Sequence, residues 1–66
     1  MQITNNITYL TEEEKQTLSK AIYYDYVYGV GLIFIHLSDG SQISWNCSNS
    51  KTAKEYLENL GVQELE

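Results

Sequence analysis

The fold is decided by one stretch, residues 30–47, which reads VGLIFIHLSDGSQISWNC. Its first half is an apolar run, Asp39-Gly40 is a turn dipeptide, and its second half alternates polar and apolar residues, so it predicts an antiparallel β-hairpin. An even loop of two or four residues would set Phe34 opposite Trp45 and keep every apolar pair on one face. A three-residue bulged loop would set Phe34 opposite a polar residue, so the pattern favours the even loop.

A helix is predicted before the hairpin, over about residues 12–26. Thr11 and Glu14 match a capping box, in which each side chain accepts a hydrogen bond from the backbone amide of the other residue. No helix-breaking residue follows until Gly29, which favours a helix that continues to about residue 26. Tyrosine and valine are concentrated in residues 23–28 and favour a strand, so both alternatives stay open there.

A second helix is predicted after the hairpin, over about residues 50–60, because apolar residues recur there at helical spacing and Gly61 follows. Residues 3–10 are a weak strand candidate, and residues 63–66 are expected to form a frayed acidic tail. The element order is (β)-α-β-β-α. We therefore predict one small α+β domain of two layers, in which the hairpin 30–47 packs against both helices.

The first strand of the hairpin is apolar on both faces. Leu32 and Phe34 point to one face, and Ile33 and Ile35 point to the other. A strand of this kind is usually central in its sheet and covered on both sides. Two alternatives follow: one helix covers each face, or one face is completed by a second copy of the chain or by a partner.

The charge balance restricts the class of partner. The chain has 66 residues, with 4 Lys and Arg against 9 Asp and Glu, which gives a net charge of −5. A nucleic-acid-binding protein needs a basic face to neutralise phosphates, so direct DNA or RNA binding is not expected. An acidic surface suits a protein partner with a basic surface, because complementary charge raises the association rate.

Residues that could carry catalysis are scarce. Cys47 is the only cysteine, so no intramolecular disulfide is possible, and its predicted position in the hairpin is too far from His36 for a nucleophile pair. These two residues with carboxylates make a poor metal-ligand set, and no glycine-rich phosphate loop is present. We expect no enzyme activity, metal or cofactor. No signal peptide or membrane span is recognised, which predicts a cytoplasmic protein without membrane contact.

The most informative feature for function is a tyrosine run, formed by Tyr23, Tyr24, Tyr26 and Tyr28. Its members cannot all be buried on one helix, and exposed tyrosine is enriched in protein interfaces. We predict a small acidic protein-binding module that inhibits or regulates a larger protein, by analogy with phage or mobile-element inhibitors that occlude a nucleic-acid-binding surface. The alternative is a homodimeric structural or regulatory protein. The predicted partner-binding residues are Tyr23, Tyr24, Asp25, Tyr26, Tyr28 and Glu13.

Overall fold

The computed structural model describes residues 2–65, in which two helices and a 3-10 helix pack on a five-stranded mixed sheet. The helices are the 3-10 helix Ile7–Tyr9, α1 (Glu12–Leu18) and α2 (Ser50–Asn59). The strands are β1 (Gln2–Ile3), β2 (Ala21–Val27), β3 (Leu32–Leu37), β4 (Gln42–Asn46) and β5 (Gln63–Glu64). Their order in the sheet is β1-β4-β3-β2-β5. The predicted α+β class is confirmed.

Helix α1 begins where the capping box predicts. The Thr11 hydroxyl accepts from the Glu14 amide at 3.1 Å, and the Glu14 carboxylate accepts from the Thr11 amide at 2.9 Å. The Thr11 backbone amide and then the Asn5 side-chain amide, which both donate to this carboxylate, hold the pKa of Glu14 below its usual value. The cap therefore fixes the start of the helix from local chemistry alone.

The predicted helix over residues 12–26 is wrong in its second half. Helix α1 ends at Leu18, and Ala21–Val27 is strand β2, antiparallel to β3. Aromatic and β-branched residues favour the strand conformation. Pairing with β2 also supplies hydrogen bonds to β3, which would otherwise lie at the edge of the sheet. The alternative kept open for residues 23–28 is the one that the structure adopts for most of that segment.

The β3–β4 hairpin has the predicted turn but a different register. The loop has three residues, Ser38 to Gly40, closed by a bond from the Leu37 amide to the Ser41 carbonyl at 2.9 Å. Gly40 adopts φ +89°, as a type I turn followed by a left-handed residue requires. Phe34 therefore pairs with Ser44, and Ile33 pairs with Trp45. The predicted even loop is wrong because β3 is apolar on both faces, so either register brings apolar residues together.

Both helices pack on the same face of the sheet. Leu18 of α1 and Leu57 of α2 are fully buried in one cluster with Ile33 and Trp45. This arrangement excludes the alternative of one helix on each face. A chain of this size has little apolar surface, and one contiguous core buries it more completely than two thin ones. The buried core residues are Ile3, Leu10, Leu18, Tyr24, Ile33, Ile35, Leu37, Ile43, Trp45, Ala53, Leu57 and Val62.

Two short parallel strands complete the sheet and correct two expectations at the ends of the chain. Within the candidate strand 3–10, only Ile3 is in β1, paired with Trp45, because the chain turns away where the Asn5 carbonyl accepts from the Trp45 indole at 2.8 Å. In the expected tail 63–66, Gln63–Glu64 instead forms β5 beside β2. A bond from the Leu65 amide to the Tyr24 carbonyl extends that pairing. Glu66 lies outside the described residues.

Candidate functional site

In the described residues 2–65, no helix covers the second face of the sheet, which we call the open face. Residues alternate between faces along a strand, and directly paired residues share a face. Because Tyr24, Ile33, Ile35 and Trp45 point into the core, their neighbours point to the opposite side. On the three long strands the open face carries Tyr23, Asp25, Val27, Leu32, Phe34, His36, Gln42, Ser44 and Asn46.

The centre of the open face is an apolar and aromatic strip on β2 and β3. Val27 pairs with Leu32, and Tyr23 pairs with His36. The Tyr23 and His36 rings are stacked, with centroids 4.4 Å apart and an angle of 21° between the planes. These side chains are half-buried although both helices lie on the other side, because they shield one another. Strand β4 supplies a polar border.

Asp25 is the one ionisable carboxyl group within this strip. It lies directly opposite Phe34, with Tyr23 and Val27 as the next open-face residues on its own strand. The residue is half-buried, yet no side chain in residues 2–65 donates a hydrogen bond to its carboxylate or forms an ion pair with it. A partly desolvated charge without a partner is unfavourable, so the carboxylate is available for a cation from another molecule.

A second group of polar side chains lies on the helix-facing side of the sheet, and we call it the Lys54 clasp. The Lys54 ammonium contacts the Glu64 carboxylate at 3.3 Å and the Tyr28 hydroxyl at 3.1 Å, and Tyr28 donates to Glu64 at 3.1 Å. The Tyr26 ring lies 4.5 Å from the Tyr28 ring, and its hydroxyl is 2.7 Å from that of Ser50. These contacts join β2, α2 and β5.

The electrostatics of the clasp follow from these contacts. The hydrogen bond to Tyr28 and then the contact with Glu64 raise the pKa of Lys54 above its usual value, which keeps the ammonium charged. The same ammonium lies 5.5 Å from the centroids of the Tyr26 and Tyr28 rings, a distance at which cation–π attraction operates. The clasp is thus satisfied internally, in contrast to Asp25.

Tyr24 belongs to neither surface. Its side chain is 0% exposed, and its hydroxyl has no hydrogen-bond partner in the part of the chain that the structure describes. Burial, followed by the nearby carboxylates of Glu58 and Glu64, raises the pKa of Tyr24 from 10.0 to about 12. Tyr24 is a core residue and has no surface to offer a partner.

The other predicted partner-binding residues divide between three places. Tyr23 and Asp25 lie together on the open face. Tyr26 and Tyr28 lie in the Lys54 clasp, where Tyr28 is 68% exposed. Glu13 is exposed in the first turn of α1, in the helical layer. The structure therefore brings only two of them together with an uncovered apolar surface.

The predicted partner-binding residues did not include the β3 side chains of the open face, which are Leu32, Phe34 and His36. The predicted register set Phe34 opposite Trp45 and so assigned it to the core. The two-sided apolar pattern of β3 is the signal for these residues, and it supported the alternative that one face is completed by a second copy or by a partner. Tyrosine content alone does not reveal them.

The remaining candidates are the pair of His36 and Cys47, metal-ligand groups and one cavity. His36 lies on the open face and Cys47 packs against the core, so the sheet separates the pair. Within residues 2–65, no three His, Cys, Asp or Glu side chains form a group that could hold a metal ion. A cavity of about 160 Å³ near the start of α2 has no ionisable lining group. Its lining residues are Asn6, Ile7, Thr8, Asn49 and Thr52.

Comparisons with known proteins add no relatives. No family model matches the chain, and neither does any curated protein or solved structure. Among the described residues, no helix is long and apolar enough to cross a membrane. The function is therefore argued from the surfaces of the domain.

Proposed function

We propose that the chain is a small acidic protein-binding module that inhibits or regulates a larger protein, and that the open face is its binding surface. The observation that carries the proposal is the placement of both helices on one side of the sheet. Phe34 and the stacked pair of Tyr23 and His36 lie on the other side, where no helix of residues 2–65 covers them. Uncovered apolar surface with a polar border is typical of interaction sites.

The physical driving force lies in the half-buried side chains of the strip. Each is already partly desolvated and held by its cross-strand neighbour, so a partner would remove the remaining apolar surface from water at a small cost in side-chain entropy. Aromatic residues supply large contact area in such interfaces. A sheet face held by five strands is also a rigid platform, which favours binding without rearrangement.

Charge supports a basic partner. The net charge of −5 repels nucleic acid and favours encounter with a positively charged protein surface, such as those that nucleic-acid-binding proteins carry. Association should therefore slow as the salt concentration rises, because screening weakens steering. An inhibitor would act by covering such a surface.

The alternative is a homodimer that pairs two open faces. The apolar strip favours it, but a two-fold axis near the strip would bring two Asp25 carboxylates together and add two chains of charge −5. A melting temperature that rises with protein concentration, together with a dimer in sedimentation equilibrium, would favour the homodimer. A monomer with a constant melting temperature favours a separate partner.

Site-specific photo-crosslinking tests the proposed function. Benzoylphenylalanine is placed either at Gln42, at the exposed border of the open face, or at Glu13, on the exposed surface of α1. In cells of the organism that encodes the chain, we expect the Gln42 position to crosslink a specific protein that the Glu13 position does not. Excess unmodified chain should compete away the product. Equal products from both positions, or a product from Glu13 alone, would contradict the proposal.

A further inference from the structure

We infer that the open face receives an arginine side chain of the protein partner, with Asp25 as its anion and the neighbouring aromatic rings as its walls. The inference rests on the proposed function, because it takes the open face to be the binding surface. It goes further by naming the side chain that the surface recognises.

The position of Asp25 is the first argument. Phe34 lies directly opposite it on β3, where paired side chains have Cβ atoms about 4.5–5.5 Å apart. Tyr23 and Val27 follow at two residues in each direction along β2, about 7 Å away. The open-face neighbours of Asp25 on β2 and β3 are therefore apolar or aromatic, and a partner seated on the strip would bury its carboxylate.

The cost of burying that carboxylate is the second argument. Within residues 2–65 it has no donor or cation, so a partner that covered it with apolar groups alone would leave a buried charge unpaired. A partner that supplies a cation converts this cost into a charge-assisted hydrogen bond. The strip thus selects for a cationic group at its centre.

The aromatic surroundings favour arginine over lysine. A guanidinium is planar, donates two parallel hydrogen bonds to one carboxylate, stacks on aromatic rings and is more weakly hydrated than an ammonium. The Phe34 ring and the stacked rings of Tyr23 and His36 flank Asp25 along the strip. A compact ammonium could pair with Asp25 but would use these flat surfaces less well.

Other occupants fit less well. A phosphate or nucleic acid would bring negative charge to Asp25 on a chain of net charge −5. A second copy would bring a second Asp25 if the faces met symmetrically. The partner that the observations favour is therefore a protein segment with one arginine between apolar residues.

Selection from displayed random short peptides tests the inference with a defined probe. The chain is immobilised, and enriched peptides are measured against wild type, Asp25→Asn, Phe34→Ala and Glu13→Gln. Glu13→Gln is the matched control because it removes the same charge from the helical layer. We expect enriched peptides to contain arginine and to lose about tenfold or more in affinity for Asp25→Asn. Affinity for Glu13→Gln should change less than about twofold, and citrulline in place of the arginine should reproduce the loss.

The outcomes separate this inference from the proposed function. Peptides that need Phe34 but bind equally with citrulline, or equally to Asp25→Asn, would overturn the arginine assignment and leave the open face as a binding surface. In that case Asp25 would serve to keep the open face from self-association, a known role of charges on exposed sheets. Peptides that depend on neither residue, or no enriched peptide at all, count against both. Phe34→Leu replaces Phe34→Ala if the alanine variant does not fold.

Discussion

The side chains on the two sides of strand β2 differ in what packs against them. On the helix-facing side, Tyr24 is buried in the core, and Tyr26 meets Ser50 and the ring of Tyr28 in the Lys54 clasp. On the open face, Tyr23 stacks on His36 and Asp25 lies opposite Phe34, so both have their neighbours within the sheet. Adjacent residues of one tyrosine-rich segment therefore have different roles, because a strand sends successive side chains to opposite faces.

Residue type alone does not distinguish the structural surface side chains of β2 from its candidate binding side chains. The difference is whether the polar groups have partners within the chain. The tyrosines of the clasp have hydrogen bonds and a nearby cation, so their side chains stabilise the junction of β2, α2 and β5. Asp25 has neither within the described chain, and its apolar neighbours lack a cover. Surface groups that have neither a hydrogen-bond partner nor a covering element within the described chain are therefore the ones to test for binding.

The largest expected difference between the two sides is in stability. Tyr24→Ala should lower the free energy of unfolding by about 3–5 kcal/mol, because it leaves a cavity in the core. Tyr23→Ala should cost about 1 kcal/mol, since its ring is half-buried and stacks on His36 at the surface of the sheet. Urea unfolding followed by circular dichroism measures both. Similar losses for the two variants would mean that the open face is packed as tightly as the core.

Alkaline pH should affect the helix-facing side next. The pKa of Tyr24 is raised to about 12 in the folded chain, so the folded state holds its proton more tightly than the unfolded state. That stabilisation is present below pH 10 and is lost as the pH rises from about 10 to about 12. The raised pKa of Lys54 acts in the same direction.

Tyr24→Phe isolates the tyrosine contribution. Because the buried hydroxyl has no partner among the described residues, the change should cost little near pH 7. Melting temperatures measured from pH 8 to pH 11 should fall less steeply for Tyr24→Phe than for wild type. Parallel curves would show that Tyr24 is not buried as described.

The Lys54 clasp should contribute a smaller amount. Lys54→Met keeps the apolar stem and removes the charge, and we expect a small loss of stability that becomes smaller at high salt. Lys51→Met is the control, since Lys51 is exposed in the first turn of α2. Hydrogen exchange should also become faster at the Leu65 amide, which bonds to the Tyr24 carbonyl. Equal effects of the two substitutions would show that the contacts of Lys54 in the clasp do not stabilise the fold.

The smallest change in stability is expected on the open face. Asp25→Asn should alter the free energy of unfolding by less than about 0.5 kcal/mol, because no described contact is lost. The same variant is the one expected to weaken partner binding most. A large loss of stability would show that Asp25 has a structural role and would place it with the clasp residues.

Local chemistry allowed part of the fold to be predicted from the sequence. The capping box at Thr11, the turn at Asp39-Gly40 and the glycine after α2 each depend on neighbouring residues, and each is found where expected. The strand β2 could not be assigned from local pattern, because no breaker separates it from α1 and its pairing with β3 decides the outcome. Two-residue strands such as β5 are too short to leave a periodic signal.

The candidate site was predictable only in part for the same reason. Composition singled out Tyr23 and Asp25, but it could not show that they lie on the opposite face from the buried Tyr24. That difference arises because the segment is a strand and not a helix. Phe34 was assigned to the core because both faces of β3 are apolar, so a shift of one residue exchanges them without breaking the pattern. Which face of the sheet is buried depends on where the helices pack, and local sequence patterns do not specify that.

Methyl NMR with the protein captured by crosslinking shows directly whether the open face is the binding surface. Leu32 lies on the open face, and Leu60 is 47% exposed just after α2 in the helical layer. On titration with that partner, we predict large shifts for the Leu32 and Val27 methyl groups and unchanged signals for Leu60. Shifts confined to Leu60, with Leu32 and Val27 unchanged, would contradict it.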